Sequence, residues 1–249
     1  KKVQLKVLVL GSGGREHALC WSISKSPLCE KLYCIPGNAG IQEEAECVNI
    51  KIENLNSLKK FIKKNQINFV IVGPEGPLVK GIVDKLNKLN VKVFGPNKKA
   101  SILESSKIFT KDFCKRNDIP TADYKKFKSF KDAVKYIQDI KYPIVIKASG
   151  LAGGKGVFIV KNKFEARKVL SDLMIKRKLG TSGKEVVIED YLVGEEISCL
   201  ALVDGKNYIP LLLSQDHKKI YENDKGPNTG GMGAYCPLPY LKKNIQSKI

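Results

Sequence analysis

The sequence predicts an α/β protein in two parts: a parallel sheet with helices on both faces, then an α+β region. Three observations carry this reading. Up to about residue 97 the chain repeats an apolar run, a glycine turn and a helix-spaced segment. The strand-like runs are continuously apolar, as in sheets buried on both faces. After the Gly95–Pro96 step the pattern changes, and strands follow one another through a glycine loop.

The elements follow in order. VLVL (7–10) is a strand ending in GSGG, and EHALCWSISKS has helical spacing. KLYCIPGN reads as a strand meeting a turn, NLNSLKKFIKKNQ as an amphipathic helix and INFVIVGPEG as a buried strand entering a turn. PLVKGIVDKLNKLN reads as one helix and VKVFGP as a strand. Beyond the boundary the spacing predicts a helix over 98–117 and another over 131–140. PIVIKA and GVFIV are strands joined by the glycine loop, followed by a helix over 164–177 and the strand EVVIEDYL. EISCLALVDG and YIPLLLSQDH come next, and 214–235 reads as a long loop without regular structure. A helix begins at the final QSKI, which suggests a fragment of a longer protein.

Composition narrows the function class. The 249 residues are 43% hydrophobic and 8% aromatic, which fits a packed core rather than disorder. No apolar run approaches the roughly 18 residues of a membrane helix, and the basic N-terminus lacks a signal-peptide cleavage pattern. Seven scattered cysteines, none in a C-x-x-C pair, argue against a disulfide framework and a zinc ribbon. A reducing cytoplasm is expected. The net charge of +19 raises nucleic-acid binding. However, only Arg15, Arg116, Arg167 and Arg177 are arginines among 44 basic residues, whereas base readers favour arginine's bidentate fork. The lysines are spread along the chain, so no nucleic acid is expected as partner. Acidic small molecules would profit from the same field.

Four stretches carry candidate chemistry. KASGLAGGKGVFIV (147–160) resembles a P-loop without being one: the first glycine position holds Ser149, the hydroxyl position holds Gly156, and a strand follows. It fits a glycine flap over phosphates, with Lys147 as an inward point charge; a mobile hairpin tip would need similar residues. GSGGREH (11–17) lies where an α/β domain presents a helix N-terminus to a phosphate. Position 16 is Glu16, so it is not a dinucleotide fingerprint. PGN (36–38) and GPEG (73–76) end the neighbouring strands and would complete a crevice. IEDYLVGEEIS (188–198) carries Glu189, Asp190, Glu195 and Glu196; either it is a solvated strand end, or 189–192 edges a purine while Glu195 holds ribose hydroxyls. In 214–235, Asp216 is placed to accept from an amine.

Taken together, LGSGGREHAL, PGNAG, FGP, SK-F-KDF, IPTA, IVIKA-GLAGGKGV, SQDHK and GPNTGGMGAY resemble the phosphoribosylamine–glycine ligase family, in order over nearly the whole chain. The resemblance implies a Rossmann-like (pre-ATP-grasp) domain over 1–100 and an ATP-grasp region over 101–249, incomplete at its C-terminus. A small lid would span about 121–190, and 191–249 would be a partial central subdomain. It implies ligation of glycine to 5-phosphoribosylamine in purine biosynthesis, through glycyl phosphate, with ATP and Mg²⁺ (or Mn²⁺). By resemblance, Lys107 and Lys147 hold ATP phosphates under a flap of Gly153, Gly154 and Gly156, while Glu189 and Leu192 frame adenine and Glu195 binds ribose. Gly13, Gly14, Arg15, Asn38 and Glu75 would line the phosphoribosylamine site. Asp216 would meet its amine, and Asn228, Thr229, Gly230 and Gly231 would contact substrate. Asp216 and Lys147 are the expected catalytic residues. Ser149 departs from the family's usual Asp. The family's metal ligands, a Glu and an Asn two residues apart, fall beyond this sequence, so no metal ligand is expected within it. A monomer or weak homodimer in the cytoplasm is implied, with no membrane partner. Other carboxylate–amine ligases and carboxylases of the ATP-grasp class stay open, as does a non-catalytic nucleic-acid-binding protein.

Overall fold

A computed structural model describes residues 4–223 and 225–241. The helix expected at the final QSKI lies outside the described residues. The chain forms two compact units, Lys1–Thr110 and Lys111–Ile249.

The first unit is built on five parallel strands in the order β3-β2-β1-β4-β5. These are β1 (Leu5–Gly11), β2 (Cys29–Pro36), β3 (Glu46–Cys47), β4 (Phe69–Val72) and β5 (Lys92–Phe94). Side chains alternate between faces along a strand. Leu8 and Leu10 therefore enter a core with Ile35, Leu58, Ile62 and Leu86, while Val7 and Val9 enter another with Cys20, Cys34 and Ile41. Burial on both faces explains the uninterrupted apolar runs. Helices α1 (Gly14–Ser24) and α2 (Leu55–Lys64) supply part of that cover.

Two expected helices are broken. The one read over PLVKGIVDKLNKLN is α3 (Glu75–Val79) and α4 (Ile82–Leu86), separated by Gly81 at φ +75°. Gly81 donates its N–H back to Leu78 O at 2.8 Å, a left-handed stop that glycine adopts at no steric cost. The helix read over 98–117 is α5 (Ile102–Ser105) and α6 (Lys107–Arg116). Ser106 is extended, and its Oγ accepts from Phe109 N–H at 3.2 Å, so it starts a new helix rather than continuing the old one.

The second unit centres on an antiparallel sheet ordered β6-β9-β7-β8. Its strands are β6 (Tyr124–Phe127), β7 (Ile144–Ala148), β8 (Val157–Val160) and β9 (Val186–Asp190). One face carries Ile144, Ile146, Ala148 and Ile188 into a core completed by α7 (Phe130–Tyr136) and α8 (Lys163–Leu170). α7 and α8 are shorter than expected, and a π-helical segment, Ser171–Ile175, follows α8.

Beyond β9 the structure overturns one expectation. The stretch 214–235 is not an irregular loop. It pairs as β12 (Gln215–Tyr221) and β13 (Lys225–Tyr235), after a small hairpin of β10 (Ala201–Val203) and β11 (Tyr208–Pro210). Both long strands are largely exposed, and their register slips twice. Backbone hydrogen bonds rather than side-chain burial define them, so glycine and asparagine are tolerated where strand propensity disfavours them.

Candidate functional site

In the first unit, GSGG, PGN and GPEG follow β1, β2 and β4, at the C-terminal edge of the sheet where α/β domains bind ligands. Glu16, 5% exposed, fills this edge and accepts from Gly13 N–H at 2.7 Å. Arg15 donates through Nη1 to Gly73 O at 2.8 Å and through Nη2 to Glu75 Oε1 at 3.0 Å. Glu75 opens α3, and its backbone amide, then the Arg15 guanidinium, hold its carboxyl below the usual range. Asn38 ties two turns together, donating to Ser12 O at 2.8 Å and accepting from Ile41 N–H at 2.9 Å. Gly14 faces open space at the start of α1. All five residues expected here therefore lie at one sheet edge. Glu16 was missed as a site residue; its place three residues after Gly13 is the spacing of a capping box.

In the second unit, the sheet face opposite the core carries the charges. Lys147 on β7 sits diagonally from Glu189 on β9, since Val145 is the register partner of Glu189 and Lys147 that of Val187. Lys147 Nζ pairs with Glu189 Oε1, while Lys111 Nζ from α6 lies 2.5 Å from Glu189 Oε2. The Glu189 side chain is only 4% exposed. Tyr124, the β6 register partner of Glu189, donates to Asp112 Oδ1 at 2.7 Å. Burial, aided by that carboxylate, pushes its phenol up to about 12.

Above this face is a cavity of about 600 Å³, within the range of small-molecule sites. Val145, Val157 and Ile159 give it apolar wall, and Lys147 and Glu189 give it charge. Leu192, Glu195, Asp216 and Asn228 line it as well, so six of the expected residues meet in one cavity. A bridge between Ser198 and Ser214 fastens the segments carrying Glu195 and Asp216. Asp216 accepts from Ser198 Oγ at 3.4 Å and lies 3.7 Å from Lys218 Nζ. Lys218 donates to Glu196 Oε1 at 2.6 Å, and that contact, reinforced by Asp216, holds its ammonium above the ordinary lysine range.

The remaining expected residues do not line this cavity. Gly153 and Gly154 occupy the β7–β8 loop with positive φ and open space beside them. Gly156 is packed beside Ala148 and Ala152, where a Cβ would lie 3.2 and 2.7 Å away. Thr229 accepts from Gly231 N–H at 3.0 Å and donates to Lys218 O at 2.9 Å, which fastens β13 to β12; Gly230 is exposed beside it. Lys107 opens α6 in the first unit. Lys111 and Lys218 were missed, because nothing local separates them from the chain's other lysines. Among the described residues no group of three or more His, Cys, Asp or Glu side chains could hold a metal ion. No helix among them is long and apolar enough to cross a membrane.

Comparison with known proteins places these features in a family. Residues 5–104 match the model "Phosphoribosylglycinamide synthetase, N domain", and residues 105–249 match its "ATP-grasp (A) domain". The chain is 49% identical over 245 residues to the phosphoribosylamine–glycine ligase of Caldanaerobacter subterraneus, covering 98% of this chain and 59% of that protein. It is 47% identical over 247 residues to the trifunctional purine biosynthetic protein adenosine-3 of Gallus gallus, covering 98% of this chain and 25% of that protein. The crystal structure of phosphoribosylamine–glycine ligase from Thermotoga maritima superposes with a TM-score of 0.83 at 33% identity, covering 98% of this chain and 59% of that one. Biotin carboxylase from Campylobacter jejuni, at 17% identity and a TM-score of 0.75, covers 98% of this chain and 57% of that one and shares the fold alone. The chain thus spans well under two thirds of the ligases it matches. On both domain models together, it belongs to the phosphoribosylglycinamide synthetase family.

Proposed function

We propose that the full-length protein ligates glycine to 5-phosphoribosylamine with ATP, giving glycinamide ribonucleotide, ADP and phosphate. The observation that carries this reading is the cavity over β7 and β9, lined by Lys147, Glu195 and Asp216 together, in a chain that matches both family domains. Glycine's carboxylate is a poor acyl donor. Transfer of the γ-phosphoryl group to a carboxylate oxygen forms glycyl phosphate and releases ADP. The amine of phosphoribosylamine then attacks the carbonyl carbon, phosphate leaves, and the amine loses a proton.

The attacking group is the substrate's own amine, so the protein's work is positioning and charge stabilisation. Lys147, with Lys107 by resemblance, is proposed to hold the ATP phosphates beneath the flap of Gly153, Gly154 and Gly156. Val145, Val157 and Ile159 offer an apolar surface for a base, with 189–192 at its edge and Glu195 toward the ribose. Gly13, Gly14, Arg15, Asn38 and Glu75 are proposed to hold phosphoribosylamine, and Asp216 to orient an amine. Asn228, Thr229, Gly230 and Gly231 are the proposed substrate contacts on β13. Mg²⁺ or Mn²⁺ belongs to the same reading, although among the described residues no group of three or more His, Cys, Asp or Glu side chains is placed to hold it. The proposal includes a lid over about 121–190 and a first domain ending near residue 100. It places the protein in the cytoplasm as a monomer or weak homodimer, without nucleic-acid or membrane partners.

Phosphate release from Mg-ATP by the full-length protein, with glycine and phosphoribosylamine omitted singly and together, tests the reading. Release is expected only when both are present; release with another acid, or with bicarbonate, would replace the substrates. Lys147→Ala is expected to weaken ATP binding at least about tenfold, or about 1.4 kcal/mol. Unchanged affinity by calorimetry would remove Lys147 from the phosphate site.

A further inference from the structure

Glu189 serves two lysines, and only one of them lines the cavity. Lys147 is among the lining residues and Lys111 is not. The side chains of Lys111, Glu189 and Lys147 are 12%, 4% and 29% exposed, so the carboxylate is the most buried of the three and Lys147 the most open to solvent. Lys111 is anchored behind the carboxylate. It donates to Thr121 Oγ1 at 2.7 Å and to Ala122 O at 3.1 Å, and its Nζ lies 5.6 Å from the Tyr124 ring centre. An ammonium has three N–H donors. Thr121 and Ala122 take two of those of Lys111, and Glu189 Oε2 lies beside its Nζ as a charge partner without hydrogen-bond geometry, whereas among the described residues the one charge partner of Lys147 is Glu189.

We propose that Lys111 is a positioning residue for nucleotide binding: it fixes Glu189 and offsets its charge, so that Lys147 stays available to phosphate oxygens. This rests on the reading of the cavity as the nucleotide site. A buried carboxylate with a single ammonium partner is a strong trap, because little water competes for it. Any phosphate approaching Lys147 would then have to break that pair. With Lys111 on the second oxygen, the carboxylate is already compensated and the group of three keeps one positive charge. Lys147 can turn toward an anion without leaving a buried negative charge unpaired.

The test uses the full-length protein and Mg-ATP, with calorimetry, steady-state kinetics and a melting curve for each variant. Lys111→Met is expected to raise the Kd and KM for ATP about tenfold, with kcat changing less than about twofold. Lys111→Arg restores most of the affinity. In a Glu189→Gln background, Lys111→Met adds less than about twofold, because its effect passes through Glu189. An equal loss in both backgrounds, or wild-type affinity in folded Lys111→Met, overturns the proposal. Should Lys111→Met fail to fold, Thr121→Val removes one anchor of Lys111 alone. It is expected to raise the Kd for ATP about threefold, and unchanged affinity overturns the proposal equally. Lys147→Ala separates the two readings. If it binds ATP as the wild type does, the cavity reading falls and takes this one with it. If it binds weakly while the Lys111 variants bind normally, the role of Lys111 alone is rejected.

Discussion

Glu189→Leu is expected to destabilise the second unit by about 3 kcal/mol, the low end of the cost of removing one partner from a buried ion pair. The substitution leaves Lys111 and Lys147 facing each other with no intervening charge. Lys111 is the costlier of the two, being 12% exposed and fixed by Thr121 and Ala122. Lys147, at 29% exposure, can turn partly to water, which keeps the figure low. Hydrogen exchange of the β7 and β9 amides measures the loss locally, where a single unfolding free energy is ill-defined for a multidomain protein. Replacing all three residues together, as Lys111→Met, Glu189→Leu and Lys147→Met, is expected to recover the stability and abolish ATP binding. An apolar trio of similar volume avoids the desolvation that the ion group must offset. Wild-type protection in Glu189→Leu would show that the two ammoniums do not depend on this carboxylate.

How far such residues could be read in advance depends on what holds them. β1, β2 and β4 were legible because burial on both faces writes an apolar run into the chain. β7, β8 and β9 were legible for a related reason: Ile144, Ile146 and Ile188 fill a core that local sequence displays. The glycine-rich loop between β7 and β8, and the place of Lys147 just before it, were visible from composition and position. The sharing of Glu189 was not. Lys111 and Glu189 are 78 positions apart, and only the packing of α6 against the sheet brings them together. β12 and β13 escaped for the opposite reason. They are largely exposed, so no alternation of apolar and polar residues marks them, and GPNTGGMGAY reads as part of a long loop even though it pairs as a strand. The breaks at Gly81 and Ser106 lay in plain view as residue types. A lone glycine or serine inside a helical pattern is commonly tolerated, so neither forced the break on paper.

Gly73→Ala is expected to cost about 2–4 kcal/mol, from overpacking and a lost helix cap together. The methyl group would overlap Glu16 Oε1 and lie 2.6 Å from Glu16 Cδ. Glu16 also fills the space beside Gly11, where an added Cβ would lie 2.6 Å from the same Cδ. The carboxylate is therefore wedged between the ends of β1 and β4, and its expulsion breaks the bond to Gly13 N–H. It also disturbs Gly73 O, which accepts from Arg15 Nη1. The strain is steric, so removing the obstacle should relieve it. Glu16→Ala alone loses only the cap, about 1 kcal/mol. The double variant Gly73→Ala/Glu16→Ala is then expected to be more stable than Gly73→Ala, a coupling of opposite sign to simple addition. Hydrogen exchange of the β1 and β4 amides in the three variants measures it. Additive losses would mean that Gly73 is constrained by something other than Glu16. Under the proposed function, Gly73→Ala also raises the KM for phosphoribosylamine and leaves that for ATP unchanged, because the turns it disturbs carry Gly13, Arg15 and Glu75 and none of the groups around Lys147.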